Sequence, residues 1–119
     1  MAEALAPGPA GLDPGRLPAM VVRVVRRYVR AFAPERIILF GSYAKATNQP
    51  TSDVDLLVIA DVEGDPAHQV RRARQLAADC FPPVDVVLVT PEEAASAAAV
   101  ESPFLLSILE SGMVVYRRP

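Results

Sequence analysis

The chain has 119 residues and a formal net charge of −2, from 12 basic and 14 acidic side chains. This length corresponds to one domain with a single core, and a hydrophobic content of 51% excludes a disordered chain. The charge balance gives no case for direct nucleic-acid binding. The single cysteine, Cys80, excludes an intrachain disulfide, and no apolar run reaches the length of a membrane span. Since the N-terminus also lacks the pattern of a secretion signal, we expect a cytoplasmic protein.

The predicted elements begin after a low-complexity stretch. Residues 1–17 are rich in Ala, Pro and Gly, which predicts a disordered tail ahead of a folded domain over 18–119. From Pro18 to Phe32, apolar residues recur on one helical face and arginines on the opposite face. This pattern predicts an amphipathic helix that ends before Pro34.

Short apolar segments and proline-bounded helices alternate along the rest of the chain. The predicted strands are 36–40, 55–60, 84–89 and 113–116, and the predicted helices are 66–80, an Ala-rich segment from 91, and 103–109. Thr90 is predicted to be an N-cap and Gly112 a C-cap. The second strand shows no alternation, which indicates burial on both faces. This order predicts an α/β fold in which helices flank a small mixed sheet, with 113–116 as an edge strand.

One segment combines groups that suit phosphate and metal ions. Gly41 and Ser42 follow the first strand, ten residues intervene, and Asp53-Val54-Asp55 opens the second strand. Residues i and i+2 of a strand point to one face, so Asp53 and Asp55 would repel each other there. A hard divalent cation such as Mg²⁺ removes that repulsion. The alternative is that both acids lie in solvent at the end of a strand.

Two further features strengthen the interpretation as a phosphate and metal site. A glycine after a strand lets the backbone approach a ligand closely, and free N–H groups and the Ser42 hydroxyl can point at phosphate oxygens. Asp85 opens the third predicted strand, and it completes a site of three carboxylates if that strand neighbours the second one. Two metal ions could then share Asp53 and Asp55, while Asp85 binds the catalytic ion.

At these residues the chain resembles the minimal nucleotidyltransferases of the DNA polymerase beta superfamily. The resemblance covers residues 20–116 and rests on Gly-Ser, the ten-residue spacing and Asp-x-Asp, with Asp85 in the place of the third acid. The loop departs from the family pattern Gly-Ser-x-Ala-Arg-Gly at two positions. Lys45 keeps the positive charge of the arginine, whereas Ala46 replaces a glycine that could have taken a positive φ.

The resemblance implies a polymerase beta-like fold and a reaction. An enzyme of this kind transfers a nucleoside monophosphate, with ATP as the expected donor, to a hydroxyl and releases pyrophosphate with the help of two Mg²⁺ ions. It also implies the role of each residue. Gly41 and Ser42 would hold the β- and γ-phosphates. Lys45 would contact the triphosphate, and the alternative is that it is a solvated lysine of the loop. The two acids of Asp-x-Asp would bridge the metals, and Asp85 would bind the catalytic metal and accept the proton of the acceptor.

The resemblance further implies where the acceptor lies. Larger relatives carry extra domains for their acceptors, and the 119 residues here are used up by the catalytic fold, so we expect the acceptor on a partner protein. Similar proteins are antitoxins that adenylylate a HEPN-domain ribonuclease toxin, which is the leading hypothesis. The alternatives are an antitoxin that acts by docking alone and a nucleotidyltransferase for a small hydroxylated molecule. The apolar terminal strand would also allow a homo- or hetero-oligomer.

Overall fold

The computed structural model describes residues 18–45, 47, 49, 52–96 and 102–119, so the predicted tail over 1–17 lies outside the described residues. The helices are α1 (Ala19–Phe32), α2 (Gly41–Ala44), α3 (Pro66–Leu76), α4 (Pro91–Ala95) and α5 (Pro103–Ser111). The strands are β1 (Arg36–Phe40), β2 (Val54–Ile59), β3 (Val84–Val89) and β4 (Met113–Arg117). Within this described part, no helix combines the length and the apolar character that a bilayer crossing requires.

The four strands form one mixed sheet in the order β3-β2-β1-β4, which confirms the predicted α/β class. β1 pairs antiparallel with β2 and with β4, whereas β2 and β3 are parallel and are connected through α3. β4 is an edge strand, as predicted. Because β2 and β3 run in the same direction, both of them begin at the end of the sheet where β1 finishes. The predicted acids lie at this end.

Helices cover both faces of the sheet, which explains why β2 lacks an alternating pattern. On one face, α1 and α3 pack on a core to which the strands contribute Ile37, Leu39, Val54, Leu56, Val58, Val86, Val115 and Tyr116. On the other face, α4 and α5 pack on a second core to which the strands contribute Ile38, Leu57, Ile59 and Val114. Successive residues of β2 therefore enter opposite cores, and both sets are buried.

The amphipathic pattern of α1 is confirmed with one exchange. The sequence places Val21, Val22, Val25, Tyr28, Val29 and Phe32 on the apolar face. The structure buries five of these together with Val24, and leaves Val22 half-buried. The Tyr28 hydroxyl donates a hydrogen bond of 2.9 Å to the Ala73 carbonyl and so joins α1 to α3. The helix ends because Ala33 adopts a left-handed conformation (φ 46°) and Pro34 cannot continue it.

The structure shortens α3 relative to the prediction, which extended it to residue 80. The Arg27 side chain of α1 donates to the Leu76 carbonyl at 2.8 Å and to the Asp79 carboxylate at 2.6 and 3.1 Å. These bonds satisfy a carbonyl at the end of the helix and favour a turn over 77–79. The prediction failed here because the periodic burial of Ala77 and Cys80 continues through the turn.

The two predicted caps are present. Thr90 accepts a hydrogen bond from the Glu93 N–H at 3.1 Å, and the Glu93 side chain accepts one from the Thr90 N–H at 3.0 Å, which forms a capping box at the start of α4. The predicted Ala-rich continuation over 97–101 lies outside the described residues. Gly112 follows α5 as its C-cap, with its N–H donating to the Ile108 carbonyl at 2.7 Å.

Candidate active site

Sheet register brings one residue from each of three strands into a row at the end of the sheet where the predicted acids lie. We call Phe40, Asp55 and Asp85 the acid row. Phe40, the last residue of β1, is the Cα partner of Asp55, and Asp55 is the Cα partner of Asp85 on β3. Register partners on neighbouring strands direct their side chains to the same face of a sheet. That face is the one covered by α4 and α5, because Leu57 and Ile59 of the same alternation enter that core. The third strand therefore neighbours the second, as the sequence analysis required for a site of three carboxylates.

Asp53 lies beside this row but outside the strand. The sequence pattern placed Asp53 and Asp55 together on a strand, whereas β2 begins at Val54 and leaves Asp53 in the exposed segment before it. The Val54 N–H donates a hydrogen bond of 2.8 Å to the Pro83 carbonyl, which ties this segment to the start of β3. Asp53 is not part of the strand pairing that includes Asp55 and Asp85.

Asp55 is the half-buried member of the three carboxylates, whereas Asp53 and Asp85 are exposed. Burial raises the pKa of the Asp55 carboxyl, and the negative charges of Asp85 and then Asp53 raise it further. The three acids are therefore close enough to affect one another electrostatically. A bound cation would favour the ionised form of this carboxyl, because it offsets the burial and the two neighbouring negative charges.

Gly41 joins the predicted phosphate segment to the acid row by direct packing. Its φ is +75°, a conformation that glycine adopts without strain, and it is the first residue of α2, directly after β1. A Cβ at this position would overlap the Asp55 carboxylate, with the carboxyl carbon 3.0 Å away. The sequence predicted a close approach of this glycine to a ligand. The structure shows that the group approached here is the side chain of Asp55.

Ser42 lies on the short helix α2, and Lys45 directly follows it. The sequence analysis did not predict this helix, because four residues are too few for a helical repeat to show. Ser42 is half-buried and its carbonyl accepts a hydrogen bond of 2.9 Å from the Thr47 N–H. Lys45 is the exposed C-cap of α2. Ala46, where the loop departs from the family pattern, lies outside the described residues.

The donor set suits a hard divalent cation that is shared with a phosphate ligand. Carboxylate oxygens are the ligands that Mg²⁺ prefers, and Asp53, Asp55 and Asp85 supply only these. Among the described residues, however, no group of three histidine, cysteine or acidic side chains converges closely enough to hold a metal ion. Mg²⁺ is commonly bound through one or two carboxylates, with substrate phosphates and water as the remaining ligands. The residues fit that mode rather than a metal cage built from protein alone.

Two aromatic residues that the sequence analysis did not select adjoin the site. Phe104, in the first turn of α5, packs edge to face on Phe40 with ring centroids 5.9 Å apart. Phe40 could have been identified from its position directly before Gly41. No local sequence signal indicates Phe104, because its position depends on how α5 folds back over the end of β1.

Comparisons with known proteins agree with this arrangement. Residues 25–119, which include all six predicted site residues, match the family model described as polymerase beta, nucleotidyltransferase. No curated protein matches the chain. A matching solved structure is described as the crystal structure of the toxin-antitoxin with AMP-PNP. It is 25% identical, covers 82% of this chain and 71% of its own, and has a TM-score of 0.53. The match over 25–119 shows that the chain belongs to the polymerase beta nucleotidyltransferase family.

Proposed function

We propose that this protein is a Mg²⁺-dependent nucleotidyltransferase that moves AMP from ATP to a hydroxyl on a partner protein, and that it acts as the antitoxin of a toxin–antitoxin pair. The observation that carries the proposal is the register that sets Asp85 beside Asp55, with Gly41 packed on the same carboxylate. Phosphate-binding backbone and metal-binding acids then occupy one end of the sheet, as nucleotidyl transfer requires.

The residues take distinct roles in the proposed reaction. Asp53 and Asp55 would hold Mg²⁺, and Asp85 would bind the catalytic ion. When bound, Mg²⁺ would offset the negative charge that develops on the phosphate oxygens. Gly41 and Ser42 would bind the β- and γ-phosphates, and Lys45, directly after the same short helix, would place its charge near the triphosphate.

The transfer requires no reactant besides ATP and the acceptor hydroxyl. The acceptor oxygen forms a bond to the α-phosphorus of ATP, and the bond from that phosphorus to the bridging oxygen of the β-phosphate breaks. Pyrophosphate leaves with the bonding electrons. The proton of the acceptor hydroxyl passes to Asp85, which is the exposed member of the register pair and the one open to an approaching partner.

The toxin–antitoxin role rests on a solved structure together with the sequence resemblance. The similar structure is described as a toxin-antitoxin with AMP-PNP, so that crystal contains a protein complex together with an analogue of ATP. The family resemblance of the sequence adds the nature of the partner, a HEPN-domain ribonuclease that adenylylation would silence. Docking without transfer is the second candidate, and it draws support from the lack of a closed three-acid metal site among the described residues.

Label transfer tests the proposal. The purified protein, Mg²⁺, α-labelled ATP and the protein that co-purifies with it are combined, beside an Asp53→Asn/Asp55→Asn variant. An Asp61→Asn variant is the matched control, because it removes one acid just beyond the opposite end of β2. We expect label on the partner with the wild type and the control, and none with the double variant.

The result also separates the two candidates. A stable complex that acquires no label from any nucleoside triphosphate, and in which the double variant still silences the partner, would establish docking instead of catalysis. Label that persists in the double variant would remove the acids from the mechanism.

A further inference from the structure

Two large apolar side chains stand out on the described surface. Phe81 is 66% exposed and Phe104 is 59% exposed, while the other large apolar side chains of the described residues are buried or half-buried. A phenylalanine ring that is exposed to this extent is free to contact a ligand or a partner, although a single exposed apolar residue does not by itself indicate one. The two rings differ in their surroundings, because only Phe104 packs on a residue of the acid row.

Phe104 is held at the site by rigid neighbours. Its ring meets Phe40 at an interplanar angle of 83°, the edge-to-face arrangement that aromatic pairs prefer. Leu105 and Ile108, on the same helix, are buried in the core beneath α5 and fix the helix on the sheet. An aromatic surface that is fixed before a ligand arrives loses little conformational freedom when the ligand binds.

The order of residues across the sheet places this ring on the nucleotide side of the site. Phe40 precedes Gly41 on β1, Asp55 lies on the central β2, and Asp85 lies on β3 at the far side. If Gly41 holds the β- and γ-phosphates, the bound triphosphate lies at the β1 side of the site, next to Phe40 and the Phe104 ring that packs on it.

We propose that Phe104, supported by Phe40, stacks on the base of the bound nucleotide. This inference rests on the proposed function, because it takes the acid row and Gly41 as the triphosphate site. Stacking suits the position, since an exposed aromatic ring offers its face to a base without hydrogen-bond donors or acceptors.

Binding of base-containing and base-free ligands tests the proposal. Titration calorimetry with Mg²⁺ compares ATP with inorganic tripolyphosphate for the wild type, Phe104→Ala, Phe104→Leu and Phe104→Tyr. Phe81→Ala is the matched control, since it removes the other exposed ring. We expect Phe104→Ala and Phe104→Leu to weaken ATP binding by about tenfold, from the loss of one stacked base, and to leave tripolyphosphate binding unchanged. Phe104→Tyr and Phe81→Ala should bind ATP as the wild type does.

Each other outcome overturns a defined part of the inference. ATP binding that is unchanged in Phe104→Ala refutes stacking, and a simultaneous loss of label transfer would assign the ring to the protein acceptor instead. Wild-type protein that binds neither ATP nor tripolyphosphate refutes the proposed function together with this inference. Phe104→Leu keeps an apolar side chain against Phe40, so a loss of ATP binding in that variant cannot be ascribed to an unfolded α5.

Discussion

Asp55 is the residue at which function and stability conflict. Its carboxyl is half-buried, it faces two other acids, and Gly41 packs against it, so folding disfavours its ionised form. A carboxyl whose pKa is raised in the folded state stabilises the fold fully below its unfolded pKa, about pH 4, and loses that contribution as the pH rises through the folded pKa. Above the folded pKa the ionised group therefore opposes folding, unless a cation is bound.

Asp55→Asn should accordingly separate stability from activity. We expect a higher free energy of unfolding than the wild type at pH 7, no such gain near pH 4, and loss of AMP transfer, because the amide carries no charge at either pH. Urea denaturation at the two pH values measures the first two effects. Asp61→Asn is the control for a general change of net charge. A variant that is less stable than the wild type at pH 7 would show that Asp55 stabilises the fold and would contradict this account.

Gly41→Ala should disable the site while keeping every acid. The substitution forces a side chain into a left-handed conformation and into the Asp55 carboxylate, so we expect a stability loss of about 1–3 kcal/mol and a loss of transfer. Gly64→Ala is the matched control. Gly64 also has a positive φ, of +90°, but its added Cβ would meet only the Gln69 side chain at 3.9 Å.

The control should therefore lose stability through backbone strain and keep its activity. Urea denaturation and label transfer on both variants distinguish strain from displacement of Asp55. Equal losses of activity in the two variants would show that strain alone accounts for the effect.

At the scale of elements, Gly112 lies at the C-cap position that the sequence predicted, but the structure requires glycine there for a different reason. The sequence predicted a C-cap glycine, which commonly takes a left-handed conformation, yet Gly112 has a φ of −72° that any residue can adopt. Space is what requires glycine here. An added Cβ would overlap the Ile38 side chain and lie 2.6 Å from the Ile108 carbonyl oxygen. The residue lets the end of α5 lie directly on β1.

Gly112→Ala should thus act through packing between α5 and the sheet. We expect a loss of about 1–3 kcal/mol in the free energy of unfolding, the usual range for an added methyl group in a packed site. The affinity for Mg²⁺-ATP should change little, because the substitution leaves the acid row and Gly41 in place. Urea denaturation and calorimetry measure the two quantities. A stability equal to that of the wild type would show that α5 moves away from β1 without cost.

The sequence could predict only those elements whose residues show a pattern within a short segment of the chain. The four strands and the Thr90 cap were predictable, since apolar runs and capping residues reveal themselves within a few positions. The four residues of α2 are too few to show a period, and α3 ended early because Arg27, far away in sequence, binds its last turn. The pairing of Asp55 with Asp85 required knowledge that β2 and β3 are parallel neighbours, which no local pattern contains.

At the scale of the whole molecule, the site joins three strands at one end of a sheet that is buried on both faces. A ligand that bridges Gly41, Asp55 and Asp85 contacts β1, β2 and β3 together and should stabilise the fold as a unit. A ligand that binds only the folded state stabilises it by about 2.7 kcal/mol at a concentration of ~100 Kd. Thermal unfolding can therefore report how metal and nucleotide enter the site.

The lack of a closed three-acid metal site among the described residues predicts the order of that binding. We expect Mg²⁺ alone to raise the melting temperature only slightly, ATP with EDTA to do little more, and Mg²⁺ with ATP to raise it by several degrees, because phosphate oxygens complete the metal coordination. Asp55→Asn should remove most of the combined effect, while Asp61→Asn should keep it. If Mg²⁺ alone raised the melting temperature as much as Mg²⁺ with ATP does, the protein would bind the metal before the nucleotide. The three acids would then have to coordinate the metal without phosphate oxygens, which would contradict this prediction.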